Sequence, residues 1–577
     1  MTLVAHLVRS DARRFRLLLA AWVLIEIADT VFTGVQPLLP ADPRTSTAIG
    51  LLAMLLFFAR WLGMIVIVAL VVQTHPLVGS DAFWMTRPIS PRALFASKVL
   101  LLSTTFLAIP ALCEVVLMAA FRVRLAEVVL VGIQTVLFQS LWVAIVMALA
   151  AMTRNLARFV LVAGGVLVSL VLLMSVGIGV AVRNTLEGPQ MHEVTGRVVS
   201  GPAAGAAMLL LLIAAVVVPL VIQYATRSTR FSALAGVVAF AAACLIIWIW
   251  PWQGQAFPVP AWASRESAPV LIAQSSTGEF RRDDRWGAWN PTEDWQTGYA
   301  RLTLRGVEEG WLATVRLADA TLQFAGGATL TTAGNGQSSI IPLEPVDDLP
   351  NRVVMRQLLA VGRVAGMTQG PWMTLGVPAI VVSHADFKTY SVSSGIYRGR
   401  FLLDLDRLEI AATLPLQTGA EYVDRRHRIT IEGIVPQAQA ASIRVRQVIV
   451  STMFHDDSLS PLSFFLRNRD ADVAVQGSSG GMAAASMGLS LPVLFGMSYA
   501  GSSTNGFSVT GDYLRFQAYT PQEEAVEITP DWLSRAELIV VRTVPGGSVE
   551  RTVEIPEFEI RPAPPTPGMP GYPMLRQ

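Results

Sequence analysis

The chain reads as an α-helical polytopic membrane bundle of about seven spans followed by an all-β extracytoplasmic region of two β-sandwich subdomains. Three observations carry that expectation. Only 15% of the 577 residues are charged and 53% are hydrophobic, whereas soluble domains average about 25% charge. The apolar excess is confined to residues 1–250, which are mostly long hydrophobic runs. After Pro251 short alternating segments punctuated by glycine and proline take over. Charge divides at the same place: residues 1–250 hold 17 Lys+Arg and 9 Asp+Glu, and the remainder holds 27 and 33. A basic membrane half is thus joined to a mildly acidic soluble half.

Residues 1–16 precede the spans. Val4, Val8, Ala12 and Phe15 fall at helical spacing, as do Arg9, Arg13 and Arg16. The pattern fits an amphipathic helix on the inner membrane surface, or a basic flank that sets topology. Residues 17–250 form the transmembrane domain. A span needs about 20 mostly apolar residues, and runs at 17–39, 48–73, 99–121, 126–151, 159–182, 204–225 and 231–250 qualify. The first is expected to be retained, because Glu26 and Asp29 interrupt it and no small-residue cleavage site follows.

Arginine placement sets the orientation. With the N-terminus in the cytoplasm, Arg9, Arg13, Arg14, Arg16, Arg87, Arg92, Lys98, Arg154, Arg158, Arg227 and Arg230 lie inside. Arg44, Arg122, Arg124, Arg183 and Arg197 lie outside, eleven against five. An odd number of spans then carries everything after Pro251 across the bacterial cytoplasmic membrane.

Two features inside this half point to sites. The first is intramembrane charge, which is costly and needs a partner or water. Asp29 and Arg60 sit about 18–20 Å from the cytoplasmic edge at 1.5 Å per residue, a match that predicts an ion pair between neighbouring helices. Glu26 shares a face with Asp29 at i,i+3 spacing. Glu114 lies towards the outer side of the third span, where it lines a pathway or faces headgroups.

The second is the link "DAFWMTRPISPRALFASK", Asp81 to Lys98. Proline pushes Arg87 to an extended conformation. Ser90 is an N-cap with Pro91 at the first helical position, and the helix is expected to run on into the third span. Phe83, Trp84 and Met85 give an aromatic lip, with basic groups at Arg87, Arg92 and Lys98. These residues make a rigid elbow suited to docking a cytoplasmic protein. Trp84, Thr86, Pro88, Ile89, Ser90 and Lys98 resemble the Trp-x-Thr-x-Pro-Ile/Val-Ser segment and following lysine of permease subunits of type 2 ABC exporters. The resemblance covers about residues 1–230. It implies that the elbow is a coupling helix seated on a cytoplasmic ABC ATPase, and that a second permease copy or homologue completes the pathway. ATP and Mg²⁺ would then be held by the partner subunit, because this chain has no phosphate loop after which either of its two lysines could stand. A seventh run and a large soluble region depart from the family's usual six spans. The other reading is a non-transporting protein whose spans anchor an extracytoplasmic interaction or sensor domain. Membrane lipid is an expected partner, nucleic acid is not, and the chain is expected to bind no cofactor or metal.

In the outer half, 251–297 is a linker and entry segment, 298–400 and 401–562 are the two β-rich subdomains, and 563–577 is a proline-rich tail. Alternation in "ARLTLRG", "DATLQFAG", "HRITIEGI" and "SIRVRQVIVS" marks strands. A hairpin is expected at Pro545-Gly546-Gly547, a helix over 347–362, and a short helix where Thr529 caps Pro530. No catalytic residue is assigned. "GMSYA" (496–500) lacks the last glycine of a nucleophile elbow, and "HDD" (455–457) reads best as a solvated turn.

Overall fold

The computed structural model describes residues 3–35, 43–75, 90–165, 198–199, 202–249, 255–256, 259–265, 269–273, 276–282, 295–333, 338–340, 350–365, 377–390, 393–437, 440–452, 454, 462–479, 502–503, 507–517 and 526–562. Helix α1 (Leu3–Arg14) turns at Phe15 into α2 (Arg16–Val35). It docks by its apolar stripe, with Val8, Ala12 and Phe15 packed on the bundle core. Then follow α3 (Pro43–Gln73), α4 (Pro91–Ser103), α5 (Ile109–Ala120), α6 (Leu125–Met152), α7 (Leu156–Gly165), α8 (Pro202–Thr226) and α9 (Thr229–Ile249). Six helices among the described residues are long and apolar enough to cross a membrane. The run expected over 159–182 begins as α7, and most of it lies outside the described residues.

Sequence explains two details of the bundle. Helices α4 and α5 form one rod, joined by a single π turn over Thr104–Ala108. Pro110 is the second residue after that turn, and a proline removes one N–H and crowds the carbonyl four residues back. A π turn absorbs that misfit without breaking the helix. Helices α2 and α3 cross at Trp22 and Gly63, where a Cβ on the glycine would stand 2.9 Å from the indole. The indole Nε1 donates to the Arg60 carbonyl at 3.0 Å, and its ring meets Phe106 edge-on at 4.4 Å.

The bundle's two ends are distinguishable. Gln73 at the end of α3 donates to Thr153 just after α6 at 3.0 Å. Gln223, near the end of α8, donates to the Ala151 carbonyl at 3.3 Å. Helices α6 and α8 therefore finish side by side at the same end as α1. The opposite end carries the finish of α2, the α5–α6 turn and the β-rich region.

That region begins with the short pair β1 (Val198–Val199) and β2 (Gln255–Ala256). It continues with β3 (Val270–Ala273), β4 (Thr277–Arg282), β5 (Trp295–Ala300), β6 (Leu302–Arg305), β7 (Trp311–Phe324), β8 (Thr329–Ala333), β9 (Ser338–Ile340), β10 (Arg363–Ala365) and β11 (Val377–Ser383). The remainder are β12 (Ser394–Pro415), β13 (Glu421–Val423), β14 (His427–Gln437), β15 (Ala440–Val450), β16 (Leu462–Asn468), β17 (Val473–Ser479), β18 (Ser502–Ser503), β19 (Phe507–Gln517) and β20 (Ala536–Pro562). Sixteen of the strands are hydrogen-bonded into one network. Its backbone is the antiparallel ladder of β12 with β20. One core gathers on the ladder's outer half around Phe401, Leu403 and Phe558, and another around Leu414, Leu538 and Val540. The expected subdomain boundary near residue 400 therefore falls inside a strand that serves both cores.

The expected hairpin at Pro545-Gly546-Gly547 does not form. Register runs straight through it, with Asp406 opposite Pro545 and Asp404 opposite Ser548. Two residues of β20 thus face Leu405, which makes a bulge. Proline cannot donate to a ladder and is confined to edges and bulges. A Cβ on Gly546 would come within 2.9 Å of the Leu405 carbonyl. Turn chemistry was satisfied there by a kink instead of a reversal. The helix expected over 347–362 forms at Pro350–Leu359. The one at Pro530–Ser534 is capped by Thr529 Oγ1, which accepts from Trp532 N at 3.1 Å.

Candidate functional site

Three clusters of polar groups stand out along the bundle, one at each end and one between. At the α1 end, Ser90 is the N-cap of α4, its hydroxyl accepting from Ala93 N at 3.2 Å with Pro91 next. Arg92 is exposed on the first turn. Lys98, two turns on, is fully buried. Its ammonium donates to Asp11 Oδ2 at 2.7 Å and Thr74 Oγ1 at 2.8 Å, and lies 3.2 Å from His75 Nδ1. Burial pushes the His75 imidazole below its ordinary pKa, and the Lys98 charge acts in the same direction. A neutral ring can accept from the ammonium. One lysine thereby ties the N-terminal helix, the end of α3 and the start of α4 together. The sequence placed Lys98 among the basic groups of a docking surface; the fold instead turns it inward, because Asp11 is the buried acidic position on the docked face of α1. The elbow residues Phe83, Trp84, Met85, Arg87 and Pro88 lie outside the described residues, as do 455–457 and 496–500.

Mid-bundle, Arg60 on α3 donates to Asp29 on α2 at 2.8 Å, the pair anticipated from their matched depths. Glu26 joins it, 3.5 Å from the guanidinium and only 3% exposed. Glu114 on α5 accepts a short hydrogen bond from the Thr135 hydroxyl on α6, so it faces the bundle interior. Each charge here has a polar neighbour on an adjacent helix, as an apolar surrounding demands.

At the far end the β-rich region is riveted to the bundle. Asp424 shapes the β13–β14 hairpin tip: Oδ1 accepts from the backbone N–H of Arg426 and of His427, both at 2.6 Å, and Oδ2 accepts from the Tyr422 hydroxyl at 2.8 Å. Burial alone would raise this carboxyl. The hydrogen bonds from His427, Tyr422 and Arg426 outweigh it and hold the group well below the usual carboxylate range. The tip so formed presents Arg425, whose Nε donates to Glu127 Oε1 at 2.8 Å. Glu127, in the first turn of α6, is 1% exposed. Arg428 donates to the Phe121 carbonyl at the end of α5. Beside them Leu117, Met118, Val128 and Val131 pack on Val448, Val450, Phe507 and Val509. None of these contacts was singled out from the sequence. The available signals were a lone glutamate opening a span and the "DRRHR" run, which match only once the strand register is known.

Between the rivets lies a cavity of about 620 Å³ bounded by α2, α5, β14 and β15. Arg428, Arg446 and Glu421 line its domain side, Val31, Val35 and Val116 its bundle side, and Arg122 stands in the α5–α6 turn at its edge. Among the described residues no three His, Cys, Asp or Glu side chains gather as metal ligands. Comparison of the chain with known protein families, curated proteins and solved structures finds no match.

Proposed function

We propose that this chain is the transmembrane subunit of an ATP-binding-cassette exporter, driven by a separate cytoplasmic ATPase and carrying an outer β-rich domain for substrate or partner binding. The observation that carries the reading is the Lys98 tie. Helix α4 starts at the Ser90 cap and continues as a membrane rod, and Lys98 couples its first turns to α1 and to the end of α3. A push on the segment 83–92 would be passed to all three elements at once. The pathway would be completed by a second permease copy or homologue, with ATP and Mg²⁺ on the partner ATPase.

Seven crossings are the count that fits. Thr153 stands beside the end of α3, whereas Val198 pairs with Ala256 just beyond α9. The chain changes ends between them, which supports one crossing more than the six long helices. With the arginine bias, an odd count would put the β-rich region outside the cytoplasmic membrane. The two cores on the shared β12–β20 ladder are read as two sandwich-like subdomains.

Purification of the full chain from its native membrane tests the proposal. A stably bound ATPase, lost on Trp84→Ala with Arg87→Glu while the bundle stays folded, is the expected result. Repeated recovery without any ATPase favours the anchor reading, for which the riveted Glu127–Arg425 junction speaks: a domain fixed to its membrane base suits presentation of a surface.

A further inference from the structure

The cavity between the α2 and α5 ends and the β14–β15 face has two chemically opposed walls. Its bundle wall is apolar, and Val31, Val35 and Val116 remain exposed there. The facing side carries Arg428 and Arg446 from the domain and Arg122 from the α5–α6 turn, against one glutamate. Two of those arginines are engaged: Arg428 with Glu421 at 2.8 Å and Arg446 with Glu432 at 3.4 Å. Glu432 is itself shared with Arg444 at 3.2 Å.

Arg122 is the distinctive member. Its side chain is exposed and makes no ion pair among the described residues. It also occupies a position that disfavours it. Arg122 N bonds to the Ala119 carbonyl and Val123 N to the Met118 carbonyl, the paired closure of a helix end whose left-handed residue is usually glycine. Here that residue is Arg122 at φ 55°. A side chain in this conformation carries a steric cost that glycine avoids, so the backbone gives no reason for an arginine. Topology gives none either, because Arg122 falls on the side that the positive-inside bias depletes. Charge at the cavity mouth is the remaining reason.

Depth identifies what that charge meets. The α4–α5 rod runs 30 residues from Pro91 to Ala120, roughly 45 Å at 1.5 Å per residue. That exceeds a hydrocarbon core of about 30 Å and brings the turn at 121–124 to headgroup level. We propose that this cavity binds an anionic phospholipid of the leaflet on the β-rich side. Its phosphate would sit at Arg122 in the field of Arg428 and Arg446, and an acyl chain would lie along Val31, Val35 and Val116. Arginine's planar fork suits phosphate oxygens, and the apolar wall suits a chain that a free anion lacks. The inference rests on the chain crossing a membrane and not on its coupling to an ATPase.

The test uses the full chain, purified in neutral detergent and followed by thermal unfolding as lipid is added. Binding to the folded state alone raises Tm with ligand concentration. Phosphatidylglycerol should raise Tm at concentrations where phosphatidylcholine and inorganic phosphate do not. Arg122→Gly removes the charge and the backbone cost together, so its lipid-free Tm should be unchanged or higher while its half-saturating phosphatidylglycerol concentration rises about tenfold, the equivalent of 1.4 kcal/mol. Arg122→Asn, which also tolerates the left-handed conformation, serves if the glycine variant does not fold. Ala120→Trp, filling the cavity from α5, should abolish the response. Equal shifts with phosphatidylcholine, a matching shift with inorganic phosphate, or an undiminished response in the Arg122 variants would each overturn the proposal.

Discussion

Lysine 98 offers the sharpest quantitative check on the bundle. Its side chain is 0% exposed and that of Asp11 5%, so solvent screening does little for either charge. Removing one member of such a pair leaves the other buried and uncompensated, which costs about 3–5 kcal/mol. Replacing both with apolar side chains of similar size is often neutral. Asp11→Leu and Lys98→Met should therefore each lower the unfolding temperature by roughly 6–20 °C, at about 2–4 °C per kcal/mol for a bundle of this size. The double variant should lie nearer to wild type than either single one. The Thr74 and His75 contacts add a refinement: they remain after Asp11→Leu and still accept from the ammonium, so that variant should suffer less than Lys98→Met, which strands the carboxylate. Thermal unfolding of the purified chain in one detergent, read by intrinsic tryptophan fluorescence and by size-exclusion recovery, supplies all four measurements. Simple additivity of the two losses would refute the buried-pair argument, since two charges that stabilise each other must couple.

Three further expectations concern the other two clusters. Asp29→Arg or Arg60→Asp alone should sharply reduce the folded yield, and combining them should restore much of it, as judged by detergent-solubilised monodisperse protein; Glu26, 3.5 Å from the guanidinium, limits the rescue because it then faces an aspartate. The hairpin tip should be acid-sensitive. Asp424 has its folded pKa depressed below the unfolded value, so its contribution is present above about pH 4 and is lost as pH falls through the folded value. The protection of the Arg426 and His427 amides against hydrogen exchange, taken relative to the intrinsic rate at each pH, should begin to fall below about pH 4 in the wild type, and should already be low at neutral pH in Asp424→Ala. The Tyr422 hydroxyl, pushed up to about 12 by burial and by its bond to Asp424, should still donate to Asp424 at pH 10, where an unperturbed tyrosine is half ionised.

Much of this protein was legible in its residues because the signals are local. Apolar length and arginine placement mark the helices, proline after serine or threonine marks the caps at Ser90 and Thr529, and matched depth pairs Asp29 with Arg60. Each depends only on spacing along one or two helices of known rise. Where the reading departed from the structure, the deciding partner was distant in sequence. Pro545-Gly546-Gly547 has the composition of a turn, yet β12 continues past it and forces a bulge. Lys98 looks like surface charge until α1, 87 residues earlier, brings Asp11 onto it. The junction is the extreme case: Glu127 and Arg425 are 298 residues apart, and nothing in either neighbourhood announces the other. The sequence by itself therefore determined that this is a membrane bundle joined to a β-rich region, and roughly where each helix begins. Tertiary structure alone decided which charges are neutralised inside, which strands bind the two cores into one ladder, and that Arg122 stands at the mouth of a cavity with one greasy wall and one cationic wall, because pairing across hundreds of residues is set by packing and register and not by local pattern.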